Sequence, residues 1–505
     1  MDQPETPIRN LRSRTVRACF LIPLAGLTLY FSSCMVGPKY QRPPAPVPPA
    51  YKEAPPESWQ GTTWKPAQPN EGATRGQWWQ IYKDPELTQL EDQVSISNQN
   101  VLLAEAQFQE ARDAVRIARS ALFPTVTTSP LFTKSRSSGT LFNFSAGNLT
   151  SGTRAVYELP VDVSYQADLW GSIRRTVRGT EEIAQASFAQ LENARLIYQG
   201  DLAEDYYELR GTDGDVDLLN STVNLYQDYL RLTQERYHAG VASGADIALA
   251  QTQLDTARAQ LVDYGVARAQ YEHAIAVLTG KPPAELSIPH GAITTTPPPV
   301  PIGLPSELLE RRPDIAAAER QMAASNEQIG IAQAAYYPSL TLSAAGGFET
   351  GSFTKLFSLP SGIWSAGPQL AETLVDFGKR HWAEREEQAA YNASVANYRQ
   401  TVLTAFQQVE DNLAALRVLE NEAAAEDRAI KSAQNSLNIE TFQYKSGIVD
   451  FLNVVTAQVT LFQDQVQAVN IQTRRITASV LLVEYLGGGW NVSTMPSANT
   501  LAHGK

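Results

Sequence analysis

The stretches Tyr237-His-Ala-Gly240-Val-Ala-Ser-Gly-Ala-Asp246 and Tyr444-Lys-Ser-Gly447-Ile-Val-Asp450-Phe-Leu-Asn453 stand 207 residues apart. Each stops a long helical pattern at one glycine, and the helical pattern resumes at once. Glycine accepts the left-handed conformation that ends a helix, so each stretch reads as the tip of a helical hairpin. Two matching tips imply two copies of one unit. The same offset lays Trp170-Gly171 on Phe377-Gly378, Leu209-Arg210 on Leu416-Arg417 and Thr279-Gly280 on Leu486-Gly487. Upstream the offset is 214, with Ala104-Glu105 on Ala318-Glu319 and Phe123-Pro124 on Tyr337-Pro338. The first copy therefore carries seven extra residues between Pro124 and Trp170, and insertions of that kind fall in loops.

With 41 basic and 53 acidic residues among 505, the net charge is -12. A basic stripe for nucleic acid is not expected. No apolar run reaches the roughly 18 residues of a membrane helix, so a membrane crossing would have to use strands. At the amino terminus, Arg9, Arg12, Arg14 and Arg17 precede an apolar stretch at 18–31 and then Ser32-Ser33-Cys34. This order reads as a secretory signal over 1–33. An ordinary signal cleaved near here would leave Cys34 incidental. The sharper reading is a lipoprotein, because Phe31-Ser-Ser-Cys34 resembles a lipobox with Phe31 where leucine is usual. Cys19 leaves with the signal, so Cys34 has no internal disulfide partner. Residues 34–83 are proline-rich at first and read as an extended tether. Trp59, Trp64, Trp78 and Trp79 suggest that it docks along the body.

The first unit is expected over 84–280. Asp84 caps a helix that runs to about Leu122, ahead of Pro124. Two strands follow at about 124–169. The better one, 157–169, alternates Tyr157, Leu159, Val161, Val163 and Tyr165 with Glu158, Asp162, Ser164 and Gln166. Such strict period two means one greasy face and one polar face. From Ser172 a helix runs to the tip near 240, with Gly211 and Gly214 as a possible kink. A return helix, a proline-rich linker at 281–305 and a second unit at 306–490 complete the pattern. The second unit has strands at about 338–375 and its tip near 447. Gly487-Gly-Gly-Trp490 is expected to end the ordered body, leaving 491–505 as a tail. Narrow apolar stripes suit coiled-coil contacts. Four strands cannot close a barrel. Membrane insertion would thus require an oligomer, and three chains, with twelve strands, leave a conduit.

Cys34-Met-Val-Gly-Pro-Lys-Tyr40, Trp78-Trp79, Asp168-Leu-Trp-Gly171, Leu308-Leu-Glu-Arg-Arg-Pro-Asp-Ile315, Tyr337-Pro-Ser-Leu340, Asp376-Phe-Gly378 and Gly487-Gly-Gly-Trp490 together resemble the TolC-like outer-membrane efflux proteins. The resemblance is to their NodT/OprM-type lipoprotein branch, which serves resistance-nodulation-division (RND) pumps, and it covers 34–490. It implies a mainly α protein with membrane β structure. The duplicated unit would form, in a homotrimer, a 12-stranded outer-membrane β-barrel on a periplasmic α-helical barrel. It also implies lipidation at Cys34, outer membrane lipid around the barrel, a periplasmic membrane-fusion adaptor protein and an inner-membrane RND pump. The tips at Gly240 and Gly447 would form the periplasmic mouth. Asp246 matches one acid of the family's mouth. Asn453 and Thr456 stand where the second copy would carry acids, and Asp450 is the acid near that tip. Asp246 and Asp450 also read simply as first-turn helix acids. No cofactor is expected. Five histidines (238, 273, 290, 381 and 503) lack metal-ligand spacing, and no nucleophile elbow or phosphate loop appears. A type I protein secretion channel and a pore-less coiled-coil lipoprotein are the alternatives. The acidic balance suggests a preference for cations.

Overall fold

The computed structural model describes residues 35–53, 77–136, 153–300 and 305–503. The signal segment, Cys34, Trp59 and Trp64 lie outside these residues. Two short helices, α1 (Pro85–Ser97) and α2 (Gln99–Ser120), replace the single helix expected from Asp84. Asn98 divides them. Its ψ of 122° cannot continue a helix, and its side chain accepts from the N–H groups of Asn100 and Val101. The Asn98 amide also donates to the Leu278 carbonyl at 2.9 Å. Asn98 thus caps α2 while satisfying the end of a distant helix. The second unit repeats this with a different residue. Arg312, also at ψ 122°, separates α5 (Leu308–Arg311) from α6 (Pro313–Ala334) and donates to the Tyr485 carbonyl at 3.0 Å.

The long hairpins match to the residue. In the first, α3 (Ser172–His238) has 67 residues and α4 (Gly244–Leu278) has 35. In the second, α7 (Lys379–Lys445) has 67 and α8 (Phe451–Tyr485) has 35. At 1.5 Å per residue the longer helices reach about 100 Å. No kink divides α3. Gly211 lies against Thr473, where a Cβ would find no room, so its glycine serves close packing.

One antiparallel sheet joins the units. β1 (Thr125–Thr128) and β2 (Leu131–Arg136) both pair with β3 (Thr153–Ala167) in one register, as a single strand interrupted at Ser129-Pro130. β3 pairs with β4 (Ser339–Thr350), and β4 with β5 (Gly362–Ala371). β3 ends at Ala167, two residues before the expected boundary. Asp168 leaves the sheet and accepts from the N–H groups of Ile173 and Arg174 at 3.0 Å each, starting α3. Among the described residues no helix is long and apolar enough to cross a membrane.

The core gathers where the short helices and linker wrap the long ones. Trp78 and Trp79 are 1% and 2% exposed and pack with Tyr82, Tyr206 and Tyr207. A second cluster holds Tyr51, Leu308, Ile315, Met322 and Tyr398. Both are wider than coiled-coil seams. The body also continues past Trp490. α9 (Ala498–His503) sets Leu501 against Val115 and Ala184, which corrects the expected tail.

Two buried carboxyls in this region are pushed up, and among the described residues Glu91 has no hydrogen-bond partner. Glu91 is fully buried, and burial drives its carboxyl well above the usual range. Glu484 fills the space left by Gly200, and burial pushes it to about 8, with Asp201 adding to the rise. A carboxyl held above its unfolded value binds more protons in the folded chain. Stability should therefore fall as pH rises from about 4.5 to about 8. Replacing Glu484 with glutamine should flatten that decline and add roughly 2–4 kcal/mol at pH 8. Thermal midpoints of the detergent-solubilised protein at pH 5 and 8 check this. Equal gains at both pH values would count against it.

Candidate functional site

Both hairpin tips close in the same way. At the first, Gly240 has φ 78° and donates to the Tyr237 carbonyl at 2.9 Å, while Val241 donates to the Arg236 carbonyl at 2.9 Å. At the second, Gly447 has φ 77° and donates to the Tyr444 carbonyl at 3.0 Å, and Ile448 donates to the Gln443 carbonyl at 2.9 Å. These bonds satisfy the last carbonyls of each long helix and need a left-handed residue.

The acids beyond the glycines part company. Asp246 is held in a capping box. Its backbone N–H donates to Ser243 Oγ at 3.2 Å, and its carboxylate accepts from the Ser243 N–H at 2.9 Å. In the second copy the acid moves to the cap position itself. Asp450 precedes α8 with no side-chain capping bond, and its carboxylate is exposed. Asn453 stands at the place of Asp246 and lines a cleft of about 260 Å³ with Glu440, Thr456 and Ser436. One carboxylate oxygen of Glu440 is buried there without a partner. Glu440 lies seven residues before Gly447, upstream of the positions read as the mouth. Among the described residues neither Asp246 nor Asp450 forms an ion pair.

What joins the two tips is Arg236, in the last turn of α3. Its Nη1 donates to the Lys445 carbonyl at 3.2 Å, and its guanidinium lies 4.5 Å from the centre of the Tyr444 ring. A cation at the end of α7 meets unpaired helix carbonyls and the negative end of the helix dipole. Tyr444 packs on Phe451, with ring centroids 5.3 Å apart, and Tyr229 meets Thr441 at 3.1 Å through their hydroxyls. Arg236, together with Tyr229, thus bridges two hairpins that are 207 residues apart in sequence. The offset puts Gln443 at the equivalent place, so the bridge is not duplicated. That mismatch between the copies was the signal available in the sequence.

At the other end the sheet presents one apolar and one polar face. Val161 lies opposite Gly346 and Tyr157 opposite Thr350 on the first; Glu158 lies opposite Glu349 and Asp162 opposite Ala345 on the second. Among the described residues both outer edges of the four-strand sheet are unpaired. Just below, residues 36–38 are clamped by Arg175, which is 2% exposed. Its guanidinium donates to the carbonyls of Val36 at 2.6 Å and Pro38 at 3.2 Å, and to Glu327 at 2.8 Å. The chain leaving Cys34 is therefore fixed beside the strand-to-helix junction at Trp170. Among the described residues, no group of three acidic, histidine or cysteine side chains could hold a metal.

The family described as outer membrane efflux protein matches residues 90–281 and 304–488. Two Pseudomonas putida proteins are each 30% identical over 477 residues, covering 94% of this chain and 96% of theirs. They are named a probable efflux pump outer membrane protein and a toluene efflux pump outer membrane protein. The solved outer-membrane channel OprN superposes with a TM-score of 0.80 at 26% identity, covering 90% of this chain and all of that one. The fold is that of the trimeric TolC-like channels: a mostly helical chain with a small sheet, in which the barrel exists only in the trimer. Localised to the outer membrane with a large periplasmic helical part, the chain belongs to the outer membrane efflux protein family.

Proposed function

We propose that three copies form a passive, water-filled exit duct that carries small molecules from the periplasm outward. The duct is anchored by a lipid on Cys34 and met at its tips by a periplasmic adaptor protein and an inner-membrane RND pump. The observation that carries this reading is the pairing, in one chain, of an open-edged two-faced sheet with two long hairpins that end in matched tips. Four strands close only with other copies, and the acids Glu158, Asp162 and Glu349 then line the inside. That lining favours cations. The toluene efflux named for one relative makes hydrophobic solvents a candidate cargo. At rest the duct is held closed at its tips. The clamp on residues 36–38 supports a lipid at Cys34, because it fixes the residues that follow Cys34 at the base of the sheet.

The test is single-channel recording of the purified full chain in a planar bilayer under a salt gradient. A small conductance with a reversal potential on the cation side is expected. Trimers that insert yet never conduct, under any voltage, would reduce the protein to a pore-less spacer.

A further inference from the structure

The apolar face of the sheet carries two charges among the described strand residues, and both are positive. Tyr157, Leu159, Val161, Val163 and Tyr165 define that face on β3. Directly paired residues point to one side, so the register places Phe132, Lys134 and Arg136 of β2 on it, opposite Tyr157, Ala155 and Thr153. Arg154 and the acids Glu158, Asp162 and Glu349 fall on the other face. Among the described strand residues no acid stands on the apolar face.

The two cations sit at the end farthest from the helices. From Ala167, beside the turn into α3, to Tyr157 is ten residues, or about 33 Å of strand. Tilted as barrel strands are, that length spans about 25 Å of depth, the height of an outer-membrane apolar band. Lys134 lies two residues beyond Tyr157 and Arg136 four, at the depth of the outer headgroups. The loop between β4 and β5 folds onto the same corner. Phe353 and Phe132 lie against Tyr157, with ring centroids 5.7 Å and 4.7 Å away, and Phe357 packs on Phe348 at 5.5 Å. Lys355 stands on the turn between Phe353 and Phe357. Its carbonyl fixes that turn, accepting from Ser358 Oγ at 2.7 Å and Ser361 Oγ at 2.9 Å. Phe132, Phe353 and Phe357 all remain exposed, as an open apolar floor below the cations.

The opposite rim is built differently. Arg174 and Arg380, at the starts of α3 and α7, are each paired within the chain, with Asp168 at 2.9 Å and Asp376 at 2.6 Å. Among the described residues Lys134, Arg136 and Lys355 have no acidic partner. The chain neutralises its own cations at the inner rim, whereas those at the outer rim call for an anion from the membrane.

We propose that Lys134, Arg136 and Lys355 bind the phosphate groups of a phosphorylated glycolipid in the outer leaflet, one site per chain. The acyl chains of that lipid lie along Phe132, Tyr157, Phe353 and Phe357. Lys134 and Arg136 are same-face neighbours about 7 Å apart, close enough to share one phosphate. Free phosphate has the charge but no use for the aromatic floor. The inference rests on the duct reading for the direction of the apolar face and adds a ligand to it.

The purified full chain, shown to be trimeric on an unheated gel, is tested by native mass spectrometry with lipid A as the probe. Lipid A stripped of its phosphates and inorganic phosphate alone are run beside it. The native protein should retain one lipid A per chain. Lys134→Gln/Arg136→Gln/Lys355→Gln should weaken retention on the order of a hundredfold. Arg154→Gln, at the same height on the opposite face, should leave it unchanged. An equal loss with Arg154→Gln reduces the attraction to overall charge and overturns the site. Equal retention of the phosphate-free lipid also overturns it, as does displacement of lipid A by millimolar inorganic phosphate. A conducting trimer that retains no lipid A defeats the lipid site alone. A chain that neither inserts into bilayers nor conducts defeats the duct reading as well.

Discussion

Alanine at Arg236 is expected to raise the single-channel conductance of the purified protein several-fold. The substitution removes the donor to the Lys445 carbonyl and the guanidinium over Tyr444, two of the contacts that tie the end of α3 to the end of α7. A cation over an aromatic ring with a charge-assisted hydrogen bond contributes about 1–2 kcal/mol. Three copies acting together give about 3–6 kcal/mol, enough to turn a mostly closed population into a mostly open one. Lysine keeps the charge but loses the planar stack, so Arg236→Lys should fall between. Asp246→Ala should behave differently. It removes a capping-box acid, costs about 1 kcal/mol within its own tip and leaves the bridge to the second hairpin in place. Planar-bilayer recording of the three variants checks the ranking. If Asp246→Ala opens the duct as widely as Arg236→Ala, a ring of acids and not the arginine bridge holds the mouth.

The second large effect is expected at the opposite end. Arg175→Ala leaves the nearly buried carboxylate of Glu327 without its partner and frees the carbonyls of Val36 and Pro38. Breaking a buried pair from one side costs about 3–5 kcal/mol. Arg175→Lys should recover only part, because one ammonium cannot span three acceptors arranged around a planar fork. The thermal midpoint of the detergent-solubilised protein reads the loss. Limited proteolysis then separates two accounts. A cut appearing first near residues 35–40 identifies a released amino-terminal strap, whereas cuts spread evenly along the chain indicate general unfolding.

Several features were legible because they are local. A left-handed glycine is marked by its own residue type, so Gly240 and Gly447 stood out before any contact was known. The offset of 207 matched helices of 67 and 35 residues without a slip. The alternation of β3 showed which face would be apolar. Errors came where a residue's role is set by a distant neighbour. Asn98 looked like one polar residue among many in a continuous helix, yet its amide is spent on the Leu278 carbonyl. Gly211 looked like a weak point, but Thr473 lies against it. Leu501, past the expected end of the body, is buried between Val115 and Ala184.

The sequence by itself determined the duplication, the hairpin tips and the count of strands, because each is written in periods and residue types that act within a few positions of the chain. Only the tertiary structure decided that the Asp246 carboxylate closes a capping box, that Arg236 bridges two hairpins and that Arg175 holds the amino-terminal strap. A side chain's hydrogen-bond partner depends on which backbone groups folding brings within about 3 Å, and for Arg236 and Arg175 those groups lie more than a hundred residues away.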